Sequence, residues 1–390
     1  MSLRYLTAGE SHGPSLTAIL EGLPAGLPID SSIIDQQLAR RQHGYGAGPR
    51  MKIEIDSAQI LSGVMAGLTI GAPLAIAIHN RDHERWRGKL IQPFTTPRPG
   101  HADLTATAKY GYGDLRPALE RASARETAAR VAVGAVCRHF LAQFNITIGG
   151  YVVSIGEIQA EVSSIPMVER FSLAEENDVR CPDHRAANLI RKHIKEIMQA
   201  RDTLGGVIEV VALGLPPGLG SHVHWDRRLD ARLGAAVLGV QAIKGVEIGT
   251  AFSNASLPGT QVQDPIQLNG KRLTRKTNRA GGIEGGITNG EPVVIRAAMK
   301  PIATTLKSQP TVDLATGVET STQYERSDFC PVPRAVPILE SVVAFILADA
   351  LIKKIGGDSL DEMHPRFSSL RRAQLSDLRM DNQEQKWWSE

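Results

Sequence analysis

RASARETAARVAVGAVCRHF, residues 121–140, is the stretch from which the fold can be read. Small and apolar residues recur through it at helical spacing, which predicts a helix over 121–140. Ser123 followed by Glu126 fits a capping box at its start. Toward the N-terminus the pattern becomes that of strands. An apolar strand and a Gly/Pro turn are predicted over 14–29, then short β-type runs over 52–55, 60–65 and 73–78. Toward the C-terminus helices are predicted over 184–201, 227–243 and 338–355, closed by Gly205, Gly245 and Gly356. Strands are predicted at 207–213 and 292–298. Strand and helix blocks alternate without the regular rhythm of a Rossmann fold, which makes the chain α+β. Residues 1–363 read as one large domain, and the polar, charged stretch 364–390, with Trp387 and Trp388 near its end, as a tail.

Composition narrows the function classes. The chain has 390 residues, and 42% hydrophobic content is enough for a sizeable core. Three widely spaced cysteines, Cys137, Cys181 and Cys330, form neither a disulfide framework nor a zinc pattern. The opening MSLRYLTAGESHG has no leader-like apolar run, and no uncharged apolar window of about 18 residues follows. A cytoplasmic protein with no membrane contact is expected. A net charge of +3 and 5% aromatic residues do not suit a nucleic-acid binder, which needs a basic surface interleaved with aromatics. The arginines cluster near Gly-, Ser- and His-containing stretches (Arg40, Arg41, Arg50; Arg98; Arg116, Arg121, Arg125, Arg130), as for local recognition of carboxylate or phosphate.

Several motifs offer chemistry. Gly9-Glu-Ser-His12-Gly13-Pro14 sets a histidine between glycines, where backbone can approach a ligand closely. Ser11 and His12 are adjacent in sequence and lie on no nucleophile elbow, so they do not spell a serine hydrolase. Pro97-Arg98-Pro-Gly-His101-Ala-Asp103 puts a second histidine after a stiff turn, with Arg98 as an anion clamp. The start of the 121–140 helix, with Ser123, Arg125 and Arg130, suits a phosphate or flavin. Residues 281–290, GGIEGGITNG, form a glycine loop that matches neither the P-loop nor the dinucleotide fingerprint. Lys300 to Thr305 offers a cation with hydroxyls, and Arg326-Ser-Asp328 a carboxylate beside an arginine. His79 and His83 have the spacing of helical metal ligands, but residues 73–78 read as a strand and the HEXXH glutamate is missing, so no metal is expected.

In order along the chain, GESHGPSLTAILEGLPAG, RRQHGYG, RPGHAD, LERASARETAARVAVGA, DTLGG, WDRRLDARL, QAIKGVEIG, GGIEGGITNG, KPIAT and RSDFC together resemble the chorismate synthase family. The resemblance implies a β-α-β sandwich, with helices packed between antiparallel sheets, in a homotetramer. It also implies a lyase that uses reduced FMN, without net redox change, to eliminate phosphate from 5-enolpyruvylshikimate-3-phosphate. By motif, His12 and His101 become the two active-site histidines, one protonating the leaving phosphate and the other keeping the flavin in its proper protonation state. Asp328 becomes the aspartate that helps the substrate proton onto the flavin. Flavin contacts are implied for Arg121, Ala122, Ser123, Gln241, Ala242, Gly285, Lys300, Pro301, Ile302, Ala303, Thr304 and Arg326. Substrate or NADPH contacts are implied for Arg41, with Ala47, Arg50, Arg98 and Arg125 as further candidates. The family often has arginine where this chain has Ala47, which removes one expected anion contact. No reductase domain is visible, so an external reductant, NADPH among the candidates, is the simpler expectation. The competing reading is a flavin- or anion-binding relative that has lost catalysis; retention of His12, His101 and Asp328 argues against it.

Overall fold

The computed structural model describes residues 2–47, 55–323, 327–378 and 380–388. Arg50, Arg326 and all of the expected strand 52–55 except Ile55 lie outside the described residues.

Two antiparallel sheets flank a helical layer. The first holds β1 (Arg4–Ala8), β2 (Ser15–Glu21), β3 (Ala58–Ser62) and β4 (Leu74–His79) in the order β1-β2-β4-β3. Along β2, Leu16, Ala18 and Leu20 are buried while Ile19 on the other face is exposed, the period-two alternation of a sheet with one covered face. The second holds β5 (Thr147–Ile155), β6 (Ile158–Gln159), β7 (Gly206–Leu213), β8 (Ile243–Ile248) and β9 (Val293–Met299) in the order β8-β9-β7-β5-β6. Both faces of its centre are covered. Val152 and Ile208 join the main core, while Tyr151 and Val211 pack with Val162 and Ala174 in a separate cluster.

Eight of the helices, in chain order, are α1 (Ser31–Gln42), α2 (Asp103–Tyr110), α3 (Arg116–Ala122), α4 (Thr127–Ala142), α5 (His184–Gln199), α6 (Leu229–Leu238), α7 (Val332–Ile355) and α8 (Leu360–Ser368). Helix α4 lies against β2 and β4, α7 against β5 and β7, and the two helices against each other. Covered from both sides, they are apolar nearly all round rather than striped. Their close approach depends on Gly134, where an added Cβ would stand 2.4 Å from the Ser341 Cα. Pro337 inside α7 has no N–H for the Pro333 carbonyl; Arg180 Nη1 donates to that oxygen instead, at 2.7 Å. Helix α7 is long and apolar enough to cross a membrane, with a mean hydropathy of 2.1 over its most apolar window, but 94% of that window is buried inside the protein.

Several expectations are corrected. The helix over 121–140 is broken in two. Helix α3 ends at Ala122, Ser123 is extended, a 3₁₀ turn covers Ala124–Glu126, and α4 starts at Thr127. Ser123 does cap that turn, accepting from the Arg125 N–H, but the Glu126 side chain bonds Thr7, Arg130 and Gln241 rather than completing a capping box. The helix expected over 227–243 ends at Leu238, and Gly245 lies in β8, because Ile243 starts a strand that pairs with β9. Gly205 closes no helix; a Cβ there would meet the Met299 carbonyl oxygen at 2.3 Å. Helix α7 starts at Val332, six residues before the expected 338, since Pro333 sits at the helix start, where its missing N–H is not needed, and Arg180 takes up the carbonyl that Pro337 leaves unpaired. Helix α1 and strand β1 went unseen in the sequence. The stretch expected to be a tail from residue 364 begins inside α8, whose Phe367 packs on Phe144 with ring centroids 5.0 Å apart. Trp387 and Trp388 are exposed.

Candidate active site

Helices α4 and α7 both begin at one end of the layers, and the C-terminal end of α1 reaches the same place. Loops from both sheets converge there around a cavity of about 430 Å³, within the usual range for a small-molecule site. The β1–β2 loop brings Ser11 and His12. Its tight course needs Gly9 at φ 109°, where a Cβ would stand 2.4 Å from the Ser15 carbonyl oxygen. The loop before α2 brings Arg98 and His101; the break before α4 brings Ala122, Ser123, Ala124 and Arg125. The turn into β8 supplies Gln241 and Ala242, and the segment after β9 supplies Lys300, Ile302, Ala303 and Thr304. Ala242 takes φ 66°, a left-handed conformation costly for a residue with a Cβ, and its carbonyl accepts from the Lys300 N–H at 2.9 Å. Asp328 and Arg334 enter at the start of α7.

Each histidine is held by a carboxylate. His12 Nδ1 lies 2.6 Å from Glu120 Oε1, and the His12 backbone N–H donates to Glu120 Oε2 at 2.8 Å. Burial alone would raise the Glu120 carboxyl, but the bonds from His12 outweigh it and hold the group below the usual range. Glu120 is therefore ionised at neutral pH and Nδ1 is the donor, leaving Nε2 as the nitrogen for proton exchange. Trp86 lies tilted against the His12 ring at 4.3 Å between centroids, and Arg116 lies over Trp86. His101 Nδ1 lies 2.5 Å from Asp103 Oδ1, and Asp103 also accepts from Arg98. Burial opposes ionisation of Asp103, but Arg98 and His101 hold it well below the ordinary carboxylate range.

Cations dominate the charged lining of the cavity. Among the described residues, Arg41, Arg98, Arg125, Lys300 and Arg334 line it against one carboxylate, Asp328. Arg334 is ion-paired with Asp328 and donates through Nε to the Arg41 carbonyl at 3.1 Å. Behind the lining, buried Asp56 lies 2.5 Å from Arg125 Nη1 and 3.4 Å from Arg41 Nη1. Burial pushes the Arg41 guanidinium down to about 9; Arg334 and Arg125 push the same way, while Asp56 and Asp328 oppose them. Crowded cations of this kind gain from a bound anion, and the first turns of α4 and α7 add the positive ends of two helix dipoles.

Of the residues singled out in the sequence, His12, His101, Asp328, Ala122, Ser123, Gln241, Ala242, Lys300, Ile302, Ala303, Thr304, Arg41, Arg98 and Arg125 line this one cavity. Four do not. Arg121 turns away to donate to the Thr7 carbonyl, and Gly285 sits in a separate hairpin with φ 59°. Pro301 is exposed between two lining residues. Ala47 follows Gly46, whose carbonyl accepts from the Phe329 N–H at 2.9 Å, so its loop borders the Asp328 segment. Sequence reasoning missed Trp86, Glu120, Asp56 and Arg334. Glu120 and Asp103 stood inside quoted motifs, and a carboxylate within reach of a candidate histidine was the signal to follow. Asp56, Trp86 and Arg334 carried none.

Such a site defines an enzyme that binds a small, multiply charged anion and moves protons on it. A chorismate synthase family model matches residues 3–352. Chorismate synthase of Trichlorobacter lovleyi is 53% identical over 378 residues, covering 93% of this chain and 96% of that protein. Chorismate synthase of Aquifex aeolicus is 50% identical over 383 residues, covering 94% and 96%. A crystal structure of a chorismate synthase superposes with a TM-score of 0.79 at 44% identity, covering 94% of this chain and 97% of that one. The chain belongs to the chorismate synthase family. Its class is that of the carbon–oxygen lyases acting on phosphates, its reaction the elimination of phosphate from 5-enolpyruvylshikimate-3-phosphate to give chorismate in the shikimate pathway. A relative without catalysis is not favoured.

Proposed function

We propose that the cavity is where this elimination occurs, with reduced FMN held beside the substrate. The observation that carries the reading is the pair of carboxylate-anchored histidines on a wall of five cations. The residues present suit a flavin. Gln241 Oε1 is buried and meets no donor among the described residues, as an acceptor awaiting a ring N–H would be. Ala122, Ala124, Ala242, Leu119, Ile302 and Ala303 give the small and apolar wall that a flat ring requires. When bound, reduced FMN lends electron density to the reacting ring and recovers it, so that no net redox change occurs.

The chain's own groups do the rest. Arg41, Arg98, Arg125, Lys300 and Arg334 bind and orient the phosphate and two carboxylates of the substrate through charge-assisted bonds. One of His12 and His101 delivers a proton from Nε2 to the leaving phosphate; the other holds the protonation state of its neighbour in the site. Asp328, steadied by Arg334, helps carry away the proton lost from the substrate ring. Helices between two antiparallel sheets are read as the β-α-β sandwich of the family, in one catalytic domain. The chain is further proposed to act as a cytoplasmic homotetramer, with NADPH or another external reductant supplying reduced flavin.

Anaerobic phosphate release from 5-enolpyruvylshikimate-3-phosphate tests the reading. Many turnovers are expected per flavin reduction. His12→Ala and His101→Ala are each expected to lower turnover about 100-fold or more with folding retained. Equal turnover with oxidised flavin, one reductant spent per product, or near-normal turnover in both variants would overturn it.

A further inference from the structure

Asp103 is fully buried at the first residue of α2, so it reaches no ligand itself. Its bonds nevertheless join two groups that do face the cavity. Oδ2 accepts from the Arg98 backbone N–H at 3.0 Å and from Arg98 Nε at 2.8 Å. Oδ1 accepts from Arg98 Nη2 at 2.9 Å and from His101 Nδ1 at 2.5 Å. An ionised carboxylate offers about four lone-pair sites, and these bonds occupy that number. The unit is pinned from outside as well. Arg98 Nη1 donates to Thr304 Oγ1 at 3.0 Å, and Lys300 Nζ to the Gly100 carbonyl at 3.1 Å.

We propose that Asp103 is a positioning residue that couples anion binding at Arg98 to the proton on His101. Arg98 Nη2 and the imidazole share one oxygen, so whatever draws the guanidinium toward a bound anion leaves that oxygen more fully to His101. A fuller share favours the protonated ring, since an opposite charge at contact distance stabilises the charged form. Asp103 is the carboxylate bonded to His101. Arg98 Nη2 also lies 3.0 Å from His101 Nδ1, and the other charged or titratable groups that line the same cavity, among the described residues, are His12, Arg41, Arg125, Lys300, Asp328 and Arg334. Holding the substrate's anion thereby readies the histidine as an acid, through a residue that touches neither substrate nor flavin.

The inference rests on His101 acting as an acid–base group, and the two can fail separately. If His101→Ala keeps near-normal turnover, that assignment falls; if His101→Ala is slow but Asp103→Asn is normal, only the coupling falls. The experiment follows the His101 ring nitrogens by NMR through a pH titration, together with kcat and KM, in the full-length protein. In Asp103→Asn the titration midpoint is expected to drop by about one pH unit or more, the usual size for loss of an adjacent opposite charge. The same variant should show kcat lowered and KM for the phosphate-bearing substrate raised, each about 10-fold. In the His101→Ala background Asp103→Asn should leave kcat where it is and still raise KM, which a merely structural residue would not do. Asp103→Glu should return the midpoint toward that of the parent. Arg98→Lys, which leaves the carboxylate balanced by a cation but removes the forked bond, should raise the His101 midpoint, and it carries the test if Asp103→Asn does not fold. An unchanged midpoint in Asp103→Asn or in Arg98→Lys, or losses in kcat that multiply in the double variant, overturns the proposal.

Discussion

Asp56→Asn removes the negative charge buried behind the cationic wall and keeps the side chain's shape. Asp56 Oδ1 stands 2.5 Å from Arg125 Nη1 and Oδ2 3.4 Å from Arg41 Nη1, and all three side chains are buried. Two unit charges about 4 Å apart at an effective dielectric constant near 20 attract by about 4 kcal/mol, so neither contact is negligible. Breaking a buried pair by neutralising one partner costs about 3–5 kcal/mol, because the remaining charge stays desolvated. The anion-free protein is therefore expected to lose about that much stability. The same change makes the cavity more positive, so inorganic phosphate should bind more tightly, on the order of tenfold, which is about 1.4 kcal/mol. Phosphate at 100 times its dissociation constant should then restore about 2.7 kcal/mol by mass action. The assay is urea denaturation of parent and variant, with and without phosphate, at one ionic strength so that screening is constant. A variant as stable as the parent without phosphate, or one that binds phosphate more weakly, would refute the argument that Asp56 restrains an anion-seeking arginine cluster.

Acid should destabilise the fold in a defined direction. Glu120, Glu126, Glu340, Asp103 and Asp349 are all held below their ordinary range, since bonds and charges from neighbouring His, Arg, Lys and backbone N–H groups outweigh the opposing effect of burial. With folded values below unfolded ones, their stabilisation is complete above the unfolded range near pH 4 and is lost as pH falls through it toward the folded values. The urea midpoint should fall steadily from about pH 5 to pH 3, and a flat midpoint there would contradict the assignment. Gly134→Ala should destabilise by at least about 1–3 kcal/mol, since the new methyl meets Ser341 backbone as well as its side chain. Ser341→Gly should recover part of the loss; an unchanged urea midpoint in Gly134→Ala would show that α4 and α7 can separate without cost.

Local pattern in the sequence was enough for the strands β2, β4, β7 and β9 and for the bodies of α4, α5 and α7, because alternation and helical spacing are properties of neighbouring residues. Ordered motifs also pointed to the family, and with it to His12, His101 and Asp328 as the groups to examine. Wherever a long-range contact overrode local preference, the sequence misled. The predicted helix over 121–140 breaks at Ser123 so that Ser123 and Arg125 reach the cavity, and β8 starts at Ile243 because β9 is there to pair with it. The electrostatics of the site were equally invisible. Arg41, Asp56, Arg125 and Arg334 are distant in sequence, and only folding sets Arg41 and Arg125 against the buried Asp56 carboxylate and brings Arg334 close enough to act on Arg41. Glu120 and His12 are 108 residues apart, and what makes their contact is the packing of α3 against the β1–β2 loop. Sequence determined which groups were available. Tertiary structure decided which of them share a desolvated cavity, and there charges interact strongly because water is excluded.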